Sequence, residues 1–223
     1  MSDTDSFIEE VTEEVRRDKL FATMRKYGWI AVLAVVLIVG GAAFNEYRKA
    51  QTRAAAEAAG DAILTALSEN DPAARIAALK AVDVEGAEAD MVARFLAAAQ
   101  QAADGDGAGA SETLMTIANG GSDIPEFYRQ IALFKAIVAA GTAMDQAERR
   151  VALESLAVPG APLSLLAQEQ LALLDIETGD AGAALERLQR IVADASATPG
   201  LRRRSTQLIV ALGGEPAGNT PSQ

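Results

Sequence analysis

The chain contains no cysteine and no histidine. Without cysteine there are no disulfides and no thiolate chemistry. Without either residue, Ser-His-Asp triads, Cys-His dyads and His- or thiolate-based metal sites are excluded. Aromatic residues make up only 4% of the chain and prolines number 7. Basic residues are outnumbered, 20 Lys and Arg against 31 Asp and Glu, for a formal net charge of −11. An acidic surface repels phosphate backbones, so no nucleic acid is expected as a partner. What is present instead is alanine, 48 residues of it. An alanine-rich chain poor in aromatic and β-branched residues reads as all-α.

One long hydrophobic run stands out, Tyr27 to Phe44, with no charged residue. As an α-helix it spans roughly 27 Å, close to the hydrocarbon thickness of a thin bilayer. A soluble helix this uniformly apolar needs burial on every side. Residues 27–44 are therefore expected to be a single transmembrane helix between a head, 1–26, and a larger domain, 45–212. Arg16, Arg17, Lys19, Arg25 and Lys26 precede the run, and Arg48, Lys49 and Arg53 follow it. The positive-inside rule then favours a cytoplasmic N-terminus and an exported C-terminal domain. Tyr27 and Trp29 at one end, and Phe44 and Tyr47 at the other, are expected to sit at the membrane interfaces. A cleaved leader is disfavoured, because the run exceeds a signal h-region and 26 residues precede it.

The head has capping-box spacing in Ser6-Phe7-Ile8-Glu9, so a helix is expected to begin at Ser6. Phe7, Ile8, Val11 and Val15 share one stripe, opposite Glu9, Glu10, Glu13, Glu14 and Arg17. Such a helix suits the membrane interface or a cytoplasmic partner.

Beyond the span, helical pattern continues to about Leu67, and turn signals then recur at Asn70, Gly105, Gly141 and Gly179. Their separations of 35, 36 and 38 indicate a repeated helix-turn-helix unit. Ala98 and Ala172 precede two of these glycines by seven residues; Ala110 and Ala184 follow by five. Small residues there let paired helices approach closely. The unit around Gly141 fits less well, with Phe134 before it and Ala147 one residue late, which implies a longer turn. Pro125, Pro159 and Pro199 trail the units, 201–212 reads as a capping helix, and 213–223 as a disordered tail.

In these positions the chain resembles the tetratricopeptide-repeat superfamily, best over Leu165 to Pro199 with Leu171-Ala172, Gly179-Asp180, Ala184 and Leu188 in place; the aromatic signature positions are missing. The full order of charged head, single span and degenerate repeats is similar to the ancillary SecYEG translocon subunit family, which shares its repeat domain with a cell-division coordinator. That resemblance implies a single-pass protein of the bacterial inner membrane with a periplasmic repeat domain. It implies the Sec translocon, periplasmic chaperones or client chains as partners, or alternatively a role coordinating envelope or division machinery.

No catalytic, cofactor or metal residue is expected, and no small-molecule substrate. The remaining acids are scattered over helical faces rather than paired in a cleft. Asp104-Gly-Asp106-Gly-Ala108-Gly109 resembles the start of an EF-hand loop, but Ala108 and Met115 occupy positions that need oxygen ligands. It reads as an inter-helix turn. Arg202, Arg203 and Arg204 read as a solvated helix face. A binding surface on the first helix of each pair is expected to draw on Phe95, Tyr128, Lys135, Glu169 and Leu173.

Overall fold

The computed structural model describes residues 3–82 and 86–215, without the side chains of residues 3–16, 18–20, 22, 23 and 31. Among the described residues there are nine α-helices, one 3₁₀ turn and no strand. The helices are α1 (Asp3–Leu67), α2 (Pro72–Lys80), α3 (Ala87–Ala103), α4 (Gly107–Ala118) and α5 (Glu126–Ala140), followed by α6 (Gln146–Leu156), α7 (Ser164–Glu177), α8 (Ala181–Ala193) and α9 (Pro199–Ala211). The expected all-α chain is what is observed. It divides into two compact units, Met1–Glu57 and Ala58–Gln223.

The described residues of the first unit lie within α1. This helix already includes Asp3, ahead of the expected start at Ser6. Acidic residues suit the positive end of a helix dipole, and nothing between Asp3 and Ser6 breaks the pattern. The stripe of Phe7, Ile8, Val11 and Val15 lies outside the described side chains. Within Met24–Leu67, an 18-residue window has a mean hydropathy of 2.2 and none of it is buried. Among the described residues this is the one helix long and apolar enough to cross a membrane.

In the second unit, aspartate and threonine side chains start most of the helices. Asp71 accepts from the Ala74 amide at 2.8 Å, with Pro72 in the first turn, where its missing N–H costs nothing. Asp145 caps α6 through the Ala147 and Glu148 amides, and Thr198 caps α9 through Leu201. From α2 to α9, each helix packs on the next. The core is a string of local clusters, each shared by three neighbouring segments. Ala66, Leu79 and Ala97 join the end of α1 to α2 and α3. Ala98, Ala110, Leu114, Ile117 and Ala132 join α3, α4 and α5. Ile137, Leu153, Leu156 and Leu171 join α5, α6 and α7, and Ala172, Leu188 and Ile209 join α7, α8 and α9. Burying each large aliphatic residue contributes about 1.5–3 kcal/mol. The buried alanines bring the helix backbones close enough for that contact.

Two hairpins, α3–α4 and α7–α8, repeat each other at an offset of 74 residues. Gly105 and Gly179 both end a helix at positive φ, 84° and 81°. In each, the glycine amide bonds back four-residue fashion, Gly105 to Ala102 and Gly179 to Ile176. The following aspartate amide reaches one residue further, Asp106 to Gln101 and Asp180 to Asp175, both at 2.9 Å. This is a Schellman closure. The same aspartates then cap the next helix, through Gly109 and Ala183. Ala110 and Ala184 are fully buried in both, as their small size requires.

The connection after α5 departs from this pattern. Gly141–Ala143 forms a 3₁₀ turn, Met144 is extended and Asp145 caps α6. Ala147 lies two residues after the cap and is exposed, so it does not take the close-packing role of Ala110 and Ala184. Leu153 and Leu156 fill that layer instead. At the chain end, Gly213 has φ 79° and the Gly214 amide bonds Ile209 at 2.9 Å, closing α9. Of the expected tail, residues 216–223 lie outside the described residues.

Candidate functional site

The clearest concave feature lies within the second unit, on α7, α8 and the start of α9, with the Ala157–Leu163 segment as its rim. Two buried carboxylates on α7 set its geometry. Asp175 takes Arg150 Nη1 of α6 at 2.8 Å and Arg187 Nε of α8 at 2.7 Å. Arg187 Nη1 also donates to Gln168 Oε1 at 2.9 Å. Six residues earlier on the same helix, Glu169 accepts both Nε and Nη2 of Arg204 at 2.8 Å. This bidentate pair ties α9 to α7 and pushes the Arg204 guanidinium pKa up from its ordinary value.

Arg202 Nη2 donates to the Asp194 carbonyl at 2.9 Å. Asp194 Oδ1 accepts from the Ser196 hydroxyl at 2.6 Å and the Ser196 amide at 2.8 Å, and these bonds hold its carboxyl below the usual range. The expected solvated arginine face is observed in part, since Arg203 and Arg204 are exposed and Arg202 is half-buried. Arg202 and Arg204 also act as interhelix ties, whereas Arg203 has no such partner among the described residues. The Arg204 tie is set by the buried Glu169 on α7, which a charge run read by itself does not disclose.

Between these ties runs an open groove of about 850 Å³. Leu165, Leu166, Ile191 and Leu201 supply apolar surface, and Arg187, Arg190 and Arg204 supply guanidinium groups. Glu169 and Asp175 are engaged by arginine and the lining Asp194 by Ser196, so the groove offers mainly apolar contact and hydrogen-bond donors. Among the described residues, no group of three acids is placed to hold a metal ion.

The residues expected from sequence fall as follows. Tyr27, Trp29, Phe44 and Tyr47 are all more than half exposed on α1. Lys26 Nζ lies 5.5 Å from the Tyr27 ring centroid, and the Tyr47 hydroxyl accepts from Gln51 at 3.0 Å. From Tyr27 to Tyr47 the helix rises about 30 Å. Phe95 is half-buried against the α3–α5 cluster. Tyr128 is exposed beside Phe127, ring centroids 6.0 Å apart, and Lys135 is exposed. Leu173 is half-buried, and Glu169 is buried under Arg204. None of these five lines the groove, although Glu169 positions an arginine that does.

Arg150, Asp175, Arg187 and Arg190 were not singled out by pattern. The signal available was the twelve-residue pairing across each glycine turn, Gln101 with Thr113 and Asp175 with Arg187.

Compared with protein-family models, with curated proteins and with solved structures, the chain matches none.

Proposed function

We propose that this chain is a non-enzymatic, membrane-anchored scaffold for protein–protein interaction. The observation that carries the reading is the wholly unburied apolar run of α1, in a chain whose second unit, Leu64 apart, keeps its leucines and isoleucines buried or half-buried. An unburied run of that length is stable only in a solvent of its own kind. The aromatic residues at its two ends, about 30 Å apart along the helix, suit two membrane interfaces.

In the finer reading, α1 crosses a bacterial inner membrane once, with its N-terminus cytoplasmic. The helices beyond it form a degenerate tetratricopeptide-like solenoid in the periplasm, and the protein serves as an accessory subunit of the Sec translocon toward periplasmic chaperones or client chains. The flanking charge bias, the two equivalent hairpins and the likeness in architecture support this. Photo-crosslinking from Tyr128 and Phe7 in intact cells, with native-level copurification in mild detergent, tests it. Recovery of translocon or chaperone subunits is the expected result. Recovery of none of them would remove the translocon assignment.

A further inference from the structure

Resting on the scaffold reading, we propose that the groove on α7, α8 and α9 binds an extended peptide segment carrying both apolar and acidic side chains. Charge distribution argues for the acidic part. Residues 45–145 hold 8 Lys and Arg against 15 Asp and Glu, whereas residues 146–212 hold 7 against 8. The acidity of the domain is therefore concentrated away from the helices that build the groove. Three guanidinium groups line the groove, against one carboxylate, that of Asp194. Asp194 is already turned back onto Ser196.

The three arginines are not equivalent. Arg187 and Arg204 are fixed from behind by Asp175 and Glu169, which orients their remaining N–H groups. Arg190 is free of such a tie. Among the described residues, its one carboxylate within 4 Å is the exposed Glu186, at 3.8 Å. A pair that long and that exposed contributes little, so Arg190 is open to an incoming carboxylate.

The floor argues for the apolar part. Leu165 and Leu166 remain half-buried beside Ile191 and Leu201, in a cleft of ligand-binding size. In an extended peptide, successive side chains point to opposite sides. An alternating segment thus presents apolar groups to the leucine floor and carboxylates to the arginine side.

The test is fluorescence anisotropy with the full-length protein in zwitterionic nanodiscs and a rhodamine-labelled short peptide alternating Leu and Glu. A matched Leu–Lys peptide serves as the charge control. Arg190→Ala is expected to weaken binding about tenfold, as loss of one charge-assisted hydrogen bond does. Arg203→Ala removes the same charge from an exposed site on α9 outside the groove, and is expected to change binding less than twofold. Circular dichroism checks that both variants are folded. Equal weakening by the two variants, equal binding of the Leu–Lys peptide, or no binding by the wild type would each overturn the proposal. Arg190-dependent binding to anionic vesicles instead of the peptide would overturn it in favour of lipid. If the groove fails while Tyr128 still crosslinks protein partners, the scaffold reading stands; if both fail, both fall.

Discussion

The hairpins α3–α4 and α7–α8 share a backbone and differ in the polar pair beneath the turn. In the first, the buried Gln101 accepts from Thr113 at 2.7 Å and donates to Asp106 at 3.1 Å. In the second, Asp175 stands in the place of Gln101 and Arg187 in that of Thr113. The glycine closure and the aspartate cap are the same in both, so the turn does not depend on the charge of the pair.

The pair decides what else is tied in. Gln101 directs its amide donor into its own turn, and the hairpin closes on itself. Asp175 has two accepting oxygens, and the second reaches Arg150 on α6. One substitution class thus turns a self-contained hairpin into a three-helix junction. Gly109 belongs to the same difference. A Cβ there would collide with the Gln101 and Asp106 side chains, whereas the second hairpin carries Ala183 at that point.

The largest expected effect breaks the charged pair. Asp175→Ala leaves two arginines without their carboxylate and is expected to cost about 3–5 kcal/mol. Gln101→Ala, at the equivalent site, takes a partner from the neutral Thr113 hydroxyl and from the exposed Asp106 carboxylate, which keeps the Gly109 amide, and is expected to cost about 1–3 kcal/mol. Urea denaturation of the full-length protein in detergent, followed by circular dichroism, measures both. Equal costs would erase the distinction between the hairpins.

Gly105→Ala and Gly179→Ala test the shared part. Each forces a side chain into positive φ, with open space around the new Cβ, and each is expected to cost about 1–2 kcal/mol. A large disparity would mean that the two closures are not equivalent. Ser205→Ala probes a site whose counterpart 74 residues earlier is Ile131. The Ser205 hydroxyl is fully buried, with no partner among the described residues. Its removal is expected to raise stability, by up to about 1 kcal/mol.

The smallest expected effect is in the acid limb. The Gly109 amide, the Gln101 side chain and the Lys80 charge hold the Asp106 carboxyl below its ordinary value of 3.8. A depressed folded-state pKa contributes stability that is fully present above the ordinary value and is lost as pH falls through the depressed one. Asp106→Asn is therefore expected to flatten the decline of stability in acid, read from thermal unfolding at a series of pH values.

Much of this fold was legible because it rests on local chemistry. Pro72 after Asp71, the glycines at 105 and 179, and the alanines five residues beyond them each report a backbone requirement that short spacing reveals. The run of α1 was legible because uniform apolarity needs no partner to be recognised. The arginine ties were not. Glu169 and Arg204 lie 35 residues apart, on α7 and α9, and each alone reads as an exposed charge. Only the packing of those helices buries Glu169 and brings the Arg204 guanidinium onto it. Ala147 misled for the opposite reason: its spacing was nearly right, but the longer connection after Gly141 places it beside a cap rather than in a core layer.

The account as a whole depends on α1 residing in lipid. Alkaline carbonate extraction of membranes from cells expressing the full-length chain tests this directly, with Val35→Arg/Leu37→Arg as the matched variant. The wild type is expected to remain in the pellet and the double variant to shift to the supernatant. Recovery of intact, uncleaved wild-type chain in the supernatant without detergent would contradict the membrane anchor.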